Sequence, residues 1–67
     1  MSKWAEVVIQ TIKVFAVEVE DNESIEDAEK YALDECLDGE HKVKGSYFAK
    51  TEDEASCIRR HADEHLV

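Results

Sequence analysis

The hydrophobic period of this chain changes near residue 21, and that change restricts the fold more than any other feature. Residues 4 to 20 are rich in β-branched and aromatic side chains, among them Val7, Val8, Ile9, Ile12, Val14, Phe15, Val17 and Val19, which favour strands. From Phe15 onward the alternation has period two. Phe15, Val17 and Val19 point one way, and Ala16, Glu18 and Glu20 the other. Earlier, Ala5, Val7, Ile9 and Thr11 share one face, and Trp4, Val8 and Ile12 the opposite one. The phase is lost between Gln10 and Val14, so the segment is predicted to be two antiparallel strands with a tight connection there. A single bent strand is the alternative, because no Asn-Gly or Asp-Gly pair marks a hairpin turn.

Beyond residue 21 the period becomes helical. Ser24 is placed to cap a helix, with Asp27 at the reciprocal capping-box position. Ile25, Ala28, Ala32, Leu33, Cys36 and Leu37 form its apolar stripe, and Gly39 closes it. Residues 41 to 49 are predicted to be a third strand. Val43 and Tyr47 fall on one face and Lys42, Lys44 and Ser46 on the other, with a bulge or close approach at Gly45. Its lysines are typical of a sheet edge. Thr51 with Glu54 starts a last helix whose stripe is Ala55, Ile58, Ala62 and Leu66. The order β-β-α-β-α predicts one α+β domain spanning 1–67: a small antiparallel three-stranded sheet with two helices packed on it. The simplest packing puts both helices on one face.

Charge is distributed as unevenly as hydrophobicity. The 67 residues carry a formal −9, and the stretch from Glu18 to Glu40 holds eleven acids and one base, a net −10. The remaining six acids and seven bases sum to +1. A charge of this sign argues against binding nucleic acid directly by neutralising phosphates, and against docking on an anionic membrane. No apolar run is long enough for a spanning helix, and the N-terminus has no signal-peptide layout, so a cytoplasmic location and reduced thiols are expected.

Sites of chemistry are few. Cys57, His61 and His65 recur at spacing four along the last helix, but there is no paired-cysteine knuckle. Ligands on three successive turns span about 12 Å along the axis and cannot meet on one ion, so these residues read as a solvated flank, without metal or other cofactor. Cys36 belongs to the first helical stripe and reads as core. A Cys57–His61 contact is feasible, but nothing marks an oxyanion hole or a Gly-rich phosphate loop, so no enzyme activity is expected. Tyr47 and Phe48, adjacent on a strand, must face opposite ways.

The segments Val7-Val8-Ile9-Gln10-Thr11, Phe15-Ala16-Val17-Glu18-Val19-Glu20 and Asp21-Asn22-Glu23-Ser24-Ile25-Glu26-Asp27-Ala28, with an acidic helix ending at Gly39-Glu40, resemble the small DpnD/PcfM-like family of phage and mobile elements over residues 4–40. The chain from Tyr47 onward departs from that pattern. The resemblance supplies no catalytic motif. It implies origin: a phage or mobile-element accessory protein in a host cell.

Glu18 and Glu20 on one strand stand about 6.8 Å apart, comparable to successive phosphates of a nucleic-acid strand. Asp27, Asp34 and Asp38 add charge on the helix. These five residues are the expected partner-binding set. The expected partner is a host protein with a basic nucleic-acid-binding surface, such as a CRISPR effector or a restriction enzyme, which the acidic face would engage as a DNA mimic. Such contacts are salt-sensitive. Two other readings stand beside it: an acidic face that only solubilises, and a self-associating module, such as a homodimer, with no inhibitory role.

Overall fold

The computed structural model describes residues 2–10, 13–36 and 41–66. In chain order its elements are β1 (Ser2–Ile9), β2 (Val14–Glu20), α1 (Ile25–Asp34), β3 (Val43–Phe48), α2 (Glu52–His61) and β4 (Glu64–Leu66). The fold is α+β, with two helices and a mixed four-stranded sheet of order β3-β1-β2-β4. β1 is antiparallel to β2 and to β3, whereas β4 runs parallel to β2.

The hairpin closes where the phase of the sequence is lost. Ile9 N–H donates to the Lys13 carbonyl at 3.0 Å, and the register then pairs Val8 with Val14 and Ser2 with Glu20. Ala5, Val7, Ile9, Phe15, Val17 and Val19 bury one face of this pair against Ala28 and Ala32 of α1. The N-terminus of α1 is fixed by a complete capping box. Ser24 Oγ accepts from Asp27 N–H at 3.3 Å, and Asp27 Oδ2 accepts from Ser24 N–H at 3.0 Å. Leu37 and Gly39, the predicted end of this helix, lie outside the described residues.

Two expectations are corrected. The helices do not share a face. The register puts Trp4, Glu6, Val8, Val14, Ala16 and Glu18 on the side opposite the α1 core. There Ala16 is fully buried, as are Ala55 and Ile58 of α2 to within 5 %. Arg59 of α2 lies 5.1 Å from the Trp4 ring, so α2 covers this second face and the molecule has three layers. Ala16 is small enough to admit a helix, which explains how a strand reading apolar-in, polar-out is covered on both sides.

The second correction concerns the sheet, which is neither three-stranded nor wholly antiparallel. The last helix stops at His61, Ala62 is extended (φ −76°, ψ 146°), and 64–66 form β4 instead of a further helical turn. Asp63 and Glu64 would place negative charge at the negative end of the helix dipole. In β4 they gain partners. Asp63 N–H donates to the Val14 carbonyl (2.8 Å), Val14 N–H donates to Asp63 Oδ2 (2.9 Å), and Glu64 pairs with Lys13 (2.6 Å). Leu66 joins the α1-side core.

In β3 the register slips between Val8 and Ile9. Val8 pairs with Gly45 and Ile9 with Val43, leaving Lys44 as the extra residue of a bulge. The bulge reverses the phase, so Val43 and Phe48, not Val43 and Tyr47, face the α1 core. Tyr47 remains 49 % exposed on the α2 side.

Candidate functional site: an acidic cleft beside β4

Because β4 is only three residues long, the far half of β2 borders a cleft between β4 and α1. Val17 and Leu66 line it with Glu18, Glu23, Tyr31, Asp34, Glu35 and His65. Four of these eight are carboxylates, and none of the described lining residues is Lys or Arg. On α1, Asp27, Tyr31 and Asp34 lie on one stripe through their spacing of four and three. Tyr31 donates its hydroxyl to Glu23. That hydrogen bond, the Glu23 charge, desolvation and the Asp27 charge hold the Tyr31 phenol above its ordinary value of 10.0. Glu23 also closes the end of β2: its Oε1 accepts from Glu20 N–H at 2.9 Å, and its own N–H donates to the Glu20 carbonyl at 3.0 Å.

The expected partner-binding residues divide accordingly. Glu18 and Asp34 line the cleft. Glu18 accepts a hydrogen bond from Ser2 Oγ at 2.5 Å, and that contact is exposed. Glu20 is exposed at the end of β2, one step past the cleft. Asp27 flanks the cleft through Tyr31, but its carboxylate serves the capping box. Asp38 lies outside the described residues. Glu23, Glu35, Tyr31 and His65 were missing from the expected set. The Asp27–Tyr31–Asp34 spacing could have indicated Tyr31, whereas His65 enters only because β4 exists.

The candidate ligands of the last helix are separated. Cys57 Sγ lies 3.4 Å from His61 Nδ1 on α2. His65 instead sits in β4, with Nε2 2.5 Å from the Arg59 carbonyl and its ring edge toward Trp4 at 6.0 Å. Among the described residues no three His, Cys, Asp or Glu side chains group as a metal site. Cys36 and Cys57 are free thiols; Cys36 is half-buried and directs Sγ to the Ala32 carbonyl at 3.5 Å. No helix among the described residues is long and apolar enough to cross a membrane. The chain matches no family model, no curated protein and no solved structure.

Proposed function

We propose that the chain is a non-enzymatic phage or mobile-element accessory protein that binds a basic surface of a host nucleic-acid-handling complex. In this reading it acts as a DNA-mimic inhibitor of host defence, of the anti-CRISPR or anti-restriction kind. The observation that carries the reading is the convergence of Glu18, Glu23, Asp34 and Glu35 on one cleft whose described lining includes no Lys or Arg. Uncompensated carboxylates over an apolar floor of Val17 and Leu66 suit a lysine or arginine side chain, whose stem needs apolar contact and whose head needs charge. The DpnD/PcfM-like resemblance of residues 4–40 supports the origin, and the concentration of charge between Glu18 and Glu40 supports the mimicry.

The test is affinity capture from a bacterial host lysate at low salt, identification of the retained proteins by mass spectrometry, and competition with duplex DNA. Retained nucleic-acid-handling proteins should be displaced by DNA, released at about 0.5 M salt, and lost when Glu18→Lys, Asp34→Lys and Glu35→Lys are combined. Retention that survives both the reversal and the salt overturns the proposal.

A further inference from the structure

The outer edge of β3 has bonding capacity that the fold leaves unused. The bond from Ile9 N–H to Lys13 turns the odd-numbered residues of β1 toward β2. The even-numbered ones face β3, as the bonds from Ala49 N–H to the Trp4 carbonyl (2.9 Å) and from Gln10 N–H to the Lys42 carbonyl (3.0 Å) show. Tyr47 and Gly45, paired with Glu6 and Val8, therefore spend their backbone groups on β1. Ser46 and Phe48 direct theirs away from the sheet, and among the described residues nothing bonds to them. The other edge of the sheet contrasts with this one. Along β2, Asp63 engages both outward groups of Val14, β4 pairs through Phe15, Ala16 and Val17, and Glu23 engages both outward groups of Glu20.

The open edge is also where the bases gather. Lys42, Lys44 and Lys50 are exposed on or beside β3, and Lys3 lies 4.2 Å from the Phe48 ring. These are four of the eight Lys and Arg residues in the chain. The nearby acids Glu29 and Glu54 are engaged, with the Ser46 hydroxyl and the Lys50 N–H respectively. Glu6 pairs with Tyr47 across the strands.

Three occupants can be compared. A second copy pairing antiparallel about Ser46 would set Lys42 opposite Lys50, and pairing about Tyr47 would set Lys44 opposite Lys50; like charges directly opposite are unfavourable. A nucleic-acid phosphate matches the N–H donors but leaves the carbonyls unmet. An extended peptide satisfies both donors and acceptors, and acidic side chains on it meet the lysines. We infer that the β3 edge is a docking site for an extended acidic peptide segment. The segment adds a fifth strand through Ser46 and Phe48 and sets its carboxylates against Lys42, Lys44 and Lys50. The acidic cleft lies at the opposite edge of the sheet, so this site stands independently of the function proposed above.

The test is titration of the isotope-labelled protein with an end-blocked seven-residue peptide of alternating Glu and Val, and with its Lys-for-Glu counterpart, at low salt. The Ser46 and Phe48 amides should shift, and their hydrogen exchange should slow by about tenfold or more with the acidic peptide alone. Combining Lys42→Glu, Lys44→Glu and Lys50→Glu should abolish the response. Ser46→Pro, which removes the outward N–H together with the hydroxyl bond to Glu29, should weaken it; the lysine reversals decide the matter if the proline variant does not fold. Four outcomes overturn the inference: no change at these amides, an equal response to the lysine peptide, the same shifts with an oligothymidylate, or the same shifts arising from concentration-dependent dimerisation without peptide.

Discussion

Ala16 separates the two ways of stacking helices on this sheet. If both helices lay on the α1 face, Ala16 would point to solvent beside Glu18 and Glu20, and Ala16→Asp would change stability by no more than about 0.5 kcal/mol. In the structure Ala16 is fully buried on the face that carries α2. A carboxylate there replaces a methyl group. Its partner across the strands is another acid, Glu6, and the β4 residue in register is His65, which already contacts the Arg59 carbonyl. Leaving a buried charge unpaired costs about 3–5 kcal/mol. A domain of this size has about 3–10 kcal/mol in all, so the variant should lose about 12–24 °C of melting temperature for the lower figure alone. The sign of the pH dependence adds a second readout. Burial raises the folded-state pKa of the new carboxyl above its unfolded value. The destabilisation is therefore smallest below pH about 4 and grows as the pH rises through the raised pKa. Thermal and urea unfolding followed by circular dichroism at pH 4 and pH 7 measure both effects. A variant that melts within about 3 °C of the parent at pH 7 would refute the three-layer packing.

Ile58→Ala removes three buried carbons, at about 0.8 kcal/mol each plus a cavity cost, so about 3 kcal/mol of stability should be lost in urea titration, while neighbouring exposed Cys57→Ala should stay within about 0.5 kcal/mol. A spectrophotometric titration should place Tyr31 above 10.0. Glu23→Gln should bring that midpoint down and leave Tyr47 raised, since burial and Glu6 hold Tyr47 up; an unchanged Tyr31 midpoint would remove the Glu23 bond from the account. Lys13 is raised above 10.5, chiefly by its bond to Glu64. The stabilisation from this pair is complete below the unfolded pKa and lost as the pH rises through the folded one. The melting difference between the parent and Glu64→Gln should therefore hold steady from neutral pH to about 9 and disappear in strong alkali.

Local signals read well where the chemistry was local. Ser24 and Asp27 form the capping box that their spacing implies. Thr51 caps α2, although Glu54 reaches back to Lys50 N–H rather than to Thr51. The hairpin lies where the alternation fails, and the mid-strand glycine marks the bulge. What remained illegible depended on distant partners. β4 exists because the outer groups of Val14 need bonds and Leu66 finds the α1-side core, and neither requirement is visible within 62–66. The second apolar face was partly written in β1, where Trp4 and Val8 stand opposite Ala5, Val7 and Ile9. A strand apolar on both sides belongs in the middle of a covered sheet. The same property that blurred the phase of the sequence was therefore the signal for a third layer.

The acidic segment was legible as charge but not as a site, because several of its carboxylates have structural work. Asp27 caps α1, Glu23 holds Tyr31 and the end of β2, Glu29 takes the Ser46 hydroxyl, and Glu18 takes the exposed Ser2 hydroxyl. Asp34 and Glu35 accept no hydrogen bond among the described residues, and both sit at the C-terminal end of α1, whose last turn has no basic residue. Negative charge there opposes the helix dipole. Asp34→Lys with Glu35→Lys should therefore leave the melting temperature unchanged or raise it slightly, by about 0.3–1 kcal/mol for each favourable charge. Reversing Glu23 or Asp27 should instead lower it. Loss of partner retention in a double variant at least as stable as the parent would thus report on the charge of the cleft and not on the fold. A double variant that binds like the parent would leave Asp34 and Glu35 with no role in recognition.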